Sequence, residues 1–375
     1  MPGEVLGNVF RHYFIKTGEW LLGRQKRKLE HLKLALELSD GVYPSGFSDI
    51  FPVHMSAPEL NYSDVDTSCL YMGKRLAAPL MINAITGGHP ETAWINRELA
   101  AAAGQAGIAM AVGSQKAALN DYSVRETFSV AREVNSDGLL LANLGACCTP
   151  GEALSAVEMI AADGLQLHLN VPQEIIMPEG DRNFKGVLAN ISTIINTVSV
   201  PVIVKEVGFG MSRETVLALH AAGVRNIDVG GRGGTDFVAI ELSRTNKKCF
   251  DMEGWGIPTA VSLLEGLSLG LEIDFVASGG LRSSLDMARA LAAGAAMTAM
   301  AGPFLKSLVE GGAGELEKSI RYLIQGLRKI MLLTGSANIR ELSRKPIVIT
   351  GPTAEWLERR GVSINSYARR SHTEV

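Results

Sequence analysis

Eight short apolar runs, spaced about 25 to 30 residues apart, dominate the chain from residue 80 to residue 300, and most are followed by a glycine-rich or polar turn and then a segment with helical periodicity. The runs are Leu80–Ala84, Ile108–Val112, Gly138–Asn143, Leu165–Asn170, Val202–Lys205, Asn226–Val229, Asp274–Ala277 and Ala296–Met300. Strands that alternate with helices must pair in parallel, because the intervening helix carries the chain back to its starting edge. Eight such units predict closure into an α/β fold of the (β/α)8 TIM-barrel class.

The intervening helices are Ala-rich, for example Trp94–Ala103, Glu152–Ala162, Arg213–Ala222, Pro258–Leu269 and Ser284–Ala293, and Gly104, Gly223 and Gly294 follow three helical segments as left-handed caps. At 375 residues the chain exceeds the roughly 250 of a plain barrel. The surplus divides into an N-terminal extension over 1–75 with a charged helix at Gln25–Leu38, a barrel over 76–350 that includes a C-terminal amphipathic helix at Leu316–Leu333, and a tail over 351–375. The stretch Gly230–Gly256 is too long for an ordinary strand-to-helix loop, and such insertions form lids.

A net charge of −3 offers no electrostatic footprint for nucleic acid. Four cysteines, of which only Cys147 and Cys148 are neighbours, provide neither a disulfide framework nor a zinc pattern, and no run approaches 18 uninterrupted apolar residues. The expectation is a cytoplasmic protein with no membrane span.

In this fold the chemistry lies at the C-terminal ends of the strands. Those ends are polar here: Asn83, Thr86, Gly87 and Gly88 after the first, Gly113-Ser114-Gln115 after the second, Asn143 on the third, His168 and Asn170 with Gln173-Glu174 on and after the fourth, Lys205-Glu206 on the fifth, and Gly230-Gly231-Arg232-Gly233-Gly234-Thr235 on the sixth. A single Asn or Ser there is most often only a turn residue. His168 and Asn170, two apart on a strand, share a face, and inward-facing polar groups need partners that a polar ligand supplies. Ser278-Gly279-Gly280-Leu281-Arg282 after the seventh strand and Met300-Ala301-Gly302-Pro303 after the eighth stand where this fold binds phosphate on backbone amides.

These segments, in this order, resemble the type 2 isopentenyl-diphosphate isomerases. The resemblance rests on Ile85-Thr86-Gly87-Gly88, Ala111-Val112-Gly113-Ser114-Gln115, Asn143-Leu144-Gly145-Ala146, His168-Leu169-Asn170-Val171-Pro172-Gln173-Glu174 and Lys205-Glu206-Val207-Gly208-Phe209-Gly210. Arg27-Lys28-Leu29-Glu30-His31 and Gly233-Gly234-Thr235 extend it over about residues 24–350. Gly230 and Gly302 stand where family members often carry a small polar and a basic or polar residue.

The resemblance implies an FMN site formed by Ile85, Thr86, Gly87, Ser114, Asn143, Lys205 and Thr235, with Gly279, Gly280, Ala301 and Gly302 around the cofactor phosphate. It implies that Arg27 and Lys28 from the extension, with His168 and Asn170, hold a diphosphate substrate, that Glu174 binds Mg²⁺, and that Gln173 faces the alkene as the catalytic residue. NADPH is the implied reductant, and a homo-oligomer, tetramer or octamer, the implied assembly. The reaction implied is interconversion of isopentenyl and dimethylallyl diphosphate. Three other readings stand beside it: an FMN oxidoreductase sharing the flavin residues, an aldolase with Lys205 as Schiff base, and a flavin-binding barrel without catalysis. Cys147-Cys148 reads as packing rather than as a nucleophile.

Overall fold

The computed structural model describes residues 23–38, 42–245, 252 and 254–370, with side chains in the first helix from Lys28 onward. That helix, α1, spans Gly23–Glu37. A short strand β1 (Ile50–Pro52) and a hairpin of β2 (Cys69–Tyr71) and β3 (Lys74–Leu76) follow before the barrel begins. The barrel strands are β4 (Leu80–Ile82), β5 (Ala109–Ala111), β6 (Leu140–Gly145), β7 (Gly164–Leu169), β8 (Val202–Glu206), β9 (Asn226–Asp228), β10 (Asp274–Ser278) and β11 (Met297–Met300). They close in chain order, all parallel, with Thr298 of β11 opposite Leu80 of β4.

All eight runs thus form strands, with ends moved by a few residues. Asn170 has left β7 and precedes a short helix, because Pro172 in that helix's first turn has no N–H to give a strand ladder. Gly104 does not cap its helix, which continues to Ala106 and is capped by Gly107 at φ +64°. Gly104 instead makes room for Asn135, whose Oδ1 would lie 2.7 Å from an added Cβ. The C-terminal amphipathic helix is longer than its period suggests, running Gly302–Leu333 with a kink at Gly312.

The helices around the barrel, in chain order, are α2 (Ala93–Ala106), α3 (Lys116–Asn120), α4 (Glu126–Val134), α5 (Pro150–Met159), α6 (Val171–Ile176), α7 (Val187–Thr197), α8 (Arg213–Ala221), α9 (Phe237–Thr245), α10 (Thr259–Leu267), α11 (Ser284–Ala293) and α12 (Gly302–Leu333). Leu80, Ile82, Leu140, Leu165, Leu167, Val202, Val204, Phe275 and Ala277 face this outer layer and are buried in the main core. A second, inner core joins Met81, Ala109, Ala111, Leu141, Ile203, Val276, Met297 and Ala299 to Tyr71 and Leu76 of the hairpin, which stoppers the N-terminal end of the barrel. Moving two residues along a strand keeps a side chain on the same face. The inward file therefore passes from Met81 to Asn83, from Leu141 to Asn143, from Ile203 to Lys205 and from Val276 to Ser278: apolar at the bottom, polar at the mouth.

After α13 (Ile339–Leu342), strand β12 (Ile347–Ile349) pairs antiparallel with β1, so the segments before and after the barrel are joined. Two last helices follow, α14 (Gly351–Arg359) and α15 (Asn365–Ala368). Asp49 accepts from the Thr353 N–H at 3.0 Å and its hydroxyl at 2.7 Å, fixing the start of α14. Among the described residues no helix is long and apolar enough to cross a membrane.

Candidate active site

The polar mouth opens into a cavity of about 640 Å³. Of the residues singled out from the sequence, Lys28, Ile85, Thr86, Ser114, Asn143, His168, Asn170, Gln173, Glu174, Lys205, Thr235, Gly279, Gly280, Ala301 and Gly302 all line it. Gly87 stands behind the wall, where its carbonyl accepts a hydrogen bond from the Lys28 ammonium. The side chain of Arg27 lies outside the described residues.

The floor near β10 and β11 is built for close backbone approach. Gly279 (φ +100°) and Gly280 (φ +80°) adopt a conformation that side chains disfavour, and an added Cβ would lie 2.1 Å from the Gly231 carbonyl oxygen or 2.4 Å from that of Gly233. Beside them α12 starts at Gly302, and Ala301 before it has no side chain to cap the first amides. A helix N-terminus without a side-chain cap in a cavity wall turns backbone N–H groups toward the cavity, a geometry that suits an anion.

Positive charge gathers at the mouth. Lys28 reaches in from α1, donates to the Ser114 carbonyl at 2.6 Å and lies 5.1 Å from the centre of the Phe128 ring. Lys205, buried at the end of β8, donates to the Glu206 carbonyl at 2.7 Å. Glu206 in turn accepts from the amides of Val207, Gly208 and Phe209 at 2.6 to 2.8 Å. Burial raises its pKa to about 7 against the pull of Lys205 and those amides. His168 has part of its surface on the cavity but sits deep in the mouth. Burial, then the charges of Lys205 and Lys28, lower its pKa to about 3, so the ring is neutral.

On the opposite wall, Pro172 sits in the first turn of α6, which carries both Gln173 and Glu174 to the cavity. Asn170 Nδ2 donates to Glu174 Oε1 at 2.8 Å, and the Asp181 amide donates to Oε2 at 2.8 Å. No group of three His, Cys, Asp or Glu side chains able to hold a metal occurs among the described residues. Glu174 stands on the cavity as a hard oxygen donor, with the Asp181 and Glu206 carboxylates also on its lining. Burial pushes the Cys148 thiol up to about 12 and also raises that of Cys147, which disfavours the thiolate at both.

Sequence reasoning passed over Glu241. It lies on α9, inside the long insertion after β9, and is fully buried. Gln173 Nε2 donates to its Oε1 at 3.0 Å, His31 Nε2 of α1 approaches the same oxygen at 2.8 Å, and Arg244 Nε donates to Oε2 at 2.8 Å. Burial would raise its pKa, but His31, Gln173 and Arg244 outweigh it and bring it down to about 2. The insertion therefore supplies a carboxylate behind Gln173, and α1, α6 and α9 meet there.

A closed parallel barrel whose mouth combines a glycine cradle, a helix N-terminus and two lysines places the chain in the (β/α)8 class, with its polar groups at the C-terminal ends of the strands. The profile of the FMN-dependent dehydrogenase family matches residues 175–349. Among sequence relatives, the isopentenyl-diphosphate delta-isomerase of Moorella thermoacetica is 55% identical over 90% of this chain and 97% of its own length. That of Symbiobacterium thermophilum is 45% identical over 93% and 99%. The chain belongs to the isopentenyl-diphosphate delta-isomerase family, and is an enzyme of the isomerase class. Solved structures share its fold at low identity. A mandelate oxidase carrying an FMN adduct superposes with TM-score 0.60 at 16% identity, over 86% of this chain and 92% of that one. A lactate oxidase from Pediococcus acidilactici gives 0.63 at 15%, over 87% and 93%.

Proposed function

We propose that the cavity binds FMN and an isoprenoid diphosphate together, and that the enzyme interconverts isopentenyl and dimethylallyl diphosphate with reduced FMN, Mg²⁺ and NADPH as reductant. The observation that carries this reading is the cluster of Gln173, Glu241 and His31 beside Glu174 on one wall, facing the glycine cradle on the other. One wall handles protons and a metal-borne anion; the other accepts a phosphate.

The residues fit both FMN and Mg²⁺. The cradle of Gly279, Gly280, Ala301 and Gly302 gives a cofactor phosphate backbone amides that no side chain obstructs. Lys205 would stand by the flavin ring, where a fixed positive charge favours its anionic reduced form. Ile85, Thr86, Ser114, Asn143 and Thr235 complete that side, with Gly87 behind them. Mg²⁺ commonly binds through one or two carboxylates plus phosphate oxygens, which suits Glu174 with a diphosphate. Asn170 touches Glu174 at this subsite, and Lys28, His168 and Arg27 are assigned to the diphosphate by the family resemblance.

The reaction is redox-neutral. The terminal alkene carbon gains a proton, the CH₂ next to the central alkene carbon loses one, and the double bond moves from the terminal and central carbons to the central carbon and that neighbour. Bound reduced flavin supplies ring nitrogens that exchange protons. The chain's own residues orient the alkene, exclude water and hold the proton balance. Gln173 is held by Glu241 at one end and Asn170 at the other, at 3.0 and 3.3 Å. α9 and α1 roof the cluster and keep it dry, as a cation-like state requires.

The test is an anaerobic assay with isopentenyl diphosphate, FMN, NADPH and Mg²⁺, omitting each in turn. Isomerisation without net redox, lost when FMN or Mg²⁺ is withheld, supports the reading. Turnover of a 2-hydroxy acid with flavin reduction would instead establish the oxidoreductase alternative. Within the same assay Glu174→Gln removes the charge that a hard cation favours. The apparent Mg²⁺ requirement and KM should rise about tenfold or more, equivalent to about 1.4 kcal/mol of lost binding, with flavin content unchanged. Wild-type Mg²⁺ dependence would exclude Glu174 as the metal carboxylate. The assembly as a tetramer or octamer is part of the same proposal and is read by light scattering.

A further inference from the structure

Asp228 ends β9, is fully buried and lies below the cavity among residues with no assigned role. Its carboxylate accepts from the Gly230 amide at 3.1 Å, from Asn83 Nδ2 at 2.8 Å and from the Ser278 hydroxyl. From Asn83 the contacts cross the barrel. Gln166 Nε2 donates to Asn83 Oδ1 at 3.0 Å, Asn143 Nδ2 donates to Gln166 Oε1 at 2.9 Å, and His168 Nδ1 lies 3.0 Å from Asn143 Oδ1. One chain of side chains therefore joins β9, β4, β7 and β6 and returns to β7 at the ring of His168.

The direction of this chain is not free. The Ala84 amide also donates to Asn83 Oδ1, at 2.9 Å, so the Asn83 oxygen faces Ala84 and Gln166 while its NH₂ faces Asp228. An oxygen there requires Gln166 to present its NH₂, which leaves Oε1 toward Asn143. Asn143 must then present its NH₂ to Gln166 and its oxygen to His168. A ring nitrogen against a carbonyl oxygen is the one that carries hydrogen. Reversing any amide would set donor against donor at a buried position, where an unmade hydrogen bond is costly.

We infer that Asp228 is a positioning residue that, through Asn83, Gln166 and Asn143, holds His168 as its Nδ1–H tautomer and turns the bare Nε2 to the ligand cavity. What meets Nε2 must bring its own hydrogen: an N–H of the bound cofactor or a protonated oxygen of the ligand anion. The low pKa of His168, set by burial and by Lys205 and Lys28, agrees with a neutral ring. The inference concerns the chain's own hydrogen bonds and survives if the isomerase reading fails.

The experiment uses FMN-loaded enzyme labelled with ¹⁵N-histidine, in which long-range ¹H–¹⁵N spectra separate Nδ1–H from Nε2–H tautomers; His168 is assigned by its loss in His168→Gln. Wild type should show His168 as Nδ1–H. Gln166→Met fills the same space but cuts the chain, so the Nε2–H form should appear. Gln166→Glu still accepts from Asn143, so Nδ1–H should persist. Asp228→Asn should also admit the Nε2–H ring, because its NH₂ must face either the NH₂ of Asn83 or the N–H of Gly230. Simple space-filling would make Met the milder change at residue 166, the reverse of this order. An Nε2–H ring in wild type overturns the inference, as does retention of Nδ1–H in Gln166→Met or Asp228→Asn. The wild-type spectrum and the Gln166 pair decide the matter even if Asp228→Asn does not fold.

Discussion

Gly280→Val should yield enzyme purified without flavin. The backbone at Gly280 has φ +80°, and a side chain there costs about 1 to 3 kcal/mol in strain alone. Its Cβ would also lie 2.4 Å from the Gly233 carbonyl oxygen, a backbone atom of the loop after β9 rather than the end of a flexible side chain. Relief requires the β9 and β10 ends to part, and both border the proposed phosphate cradle. A loss of about 3 kcal/mol corresponds to a more than hundredfold weaker FMN affinity. Flavin content is read by absorbance after desalting, and affinity by fluorescence quenching on adding FMN back. Gly151→Ala is the control: nothing lies within 4 Å of its added Cβ, and it should keep full flavin. A folded Gly280→Val protein with wild-type flavin content would move the cofactor phosphate elsewhere.

Residues that show in a one-dimensional pattern were legible before the fold was known. Lys205 and His168 could be placed at the mouth because strand ends follow from apolar runs, and a period of two assigns the face. The same rule reaches Gln166, two before His168, and Asn83, two after Met81, once a strand's register is fixed. Glu241 carries no such mark. Its value depends on α9 folding back over the barrel to meet His31 and Gln173, contacts between segments far apart in the chain. Asp228 reads as an ordinary acidic residue at the end of a strand until closure brings β4 and β10 against it. Element ends slipped for local reasons: Pro172 drew Asn170 out of β7, and Gly104 serves the close approach of Asn135 while Gly107 supplies the left-handed cap. Periodicity reports faces and elements, whereas partners come from closure.

Gln173→Ala and Glu241→Gln should each depress kcat by about 10² to 10⁴ with flavin retained and KM changed much less, the range expected for a positioned group that works on proton transfer. Gln173 is buried and tied to Glu241 at 3.0 Å, so it can present its amide to a reacting carbon skeleton in one orientation only. A group fixed where charge develops contributes more to the transition state than to the bound substrate, and its removal therefore falls on kcat. Glu241 acts behind it. Its carboxylate is held to about 2 by His31, Gln173 and Arg244 in spite of burial, so it remains ionised across the working pH range. The sign follows from that lowering: the stability this carboxylate contributes is fully present above its ordinary value of 4.5 and is lost as pH falls through about 2. Glu241→Gln keeps a hydrogen-bonding group but removes the charge that holds Arg244 and His31, so it should also abolish this acid-range component of stability. The two variants separate in the Mg²⁺ titration that tests Glu174, because neither residue is assigned to the metal and both should keep the wild-type Mg²⁺ midpoint. Steady-state rates under reducing conditions, with thermal midpoints measured from pH 7 down to pH 3, give both readouts. Wild-type kcat in either variant would remove this cluster from the proton-handling role proposed for it.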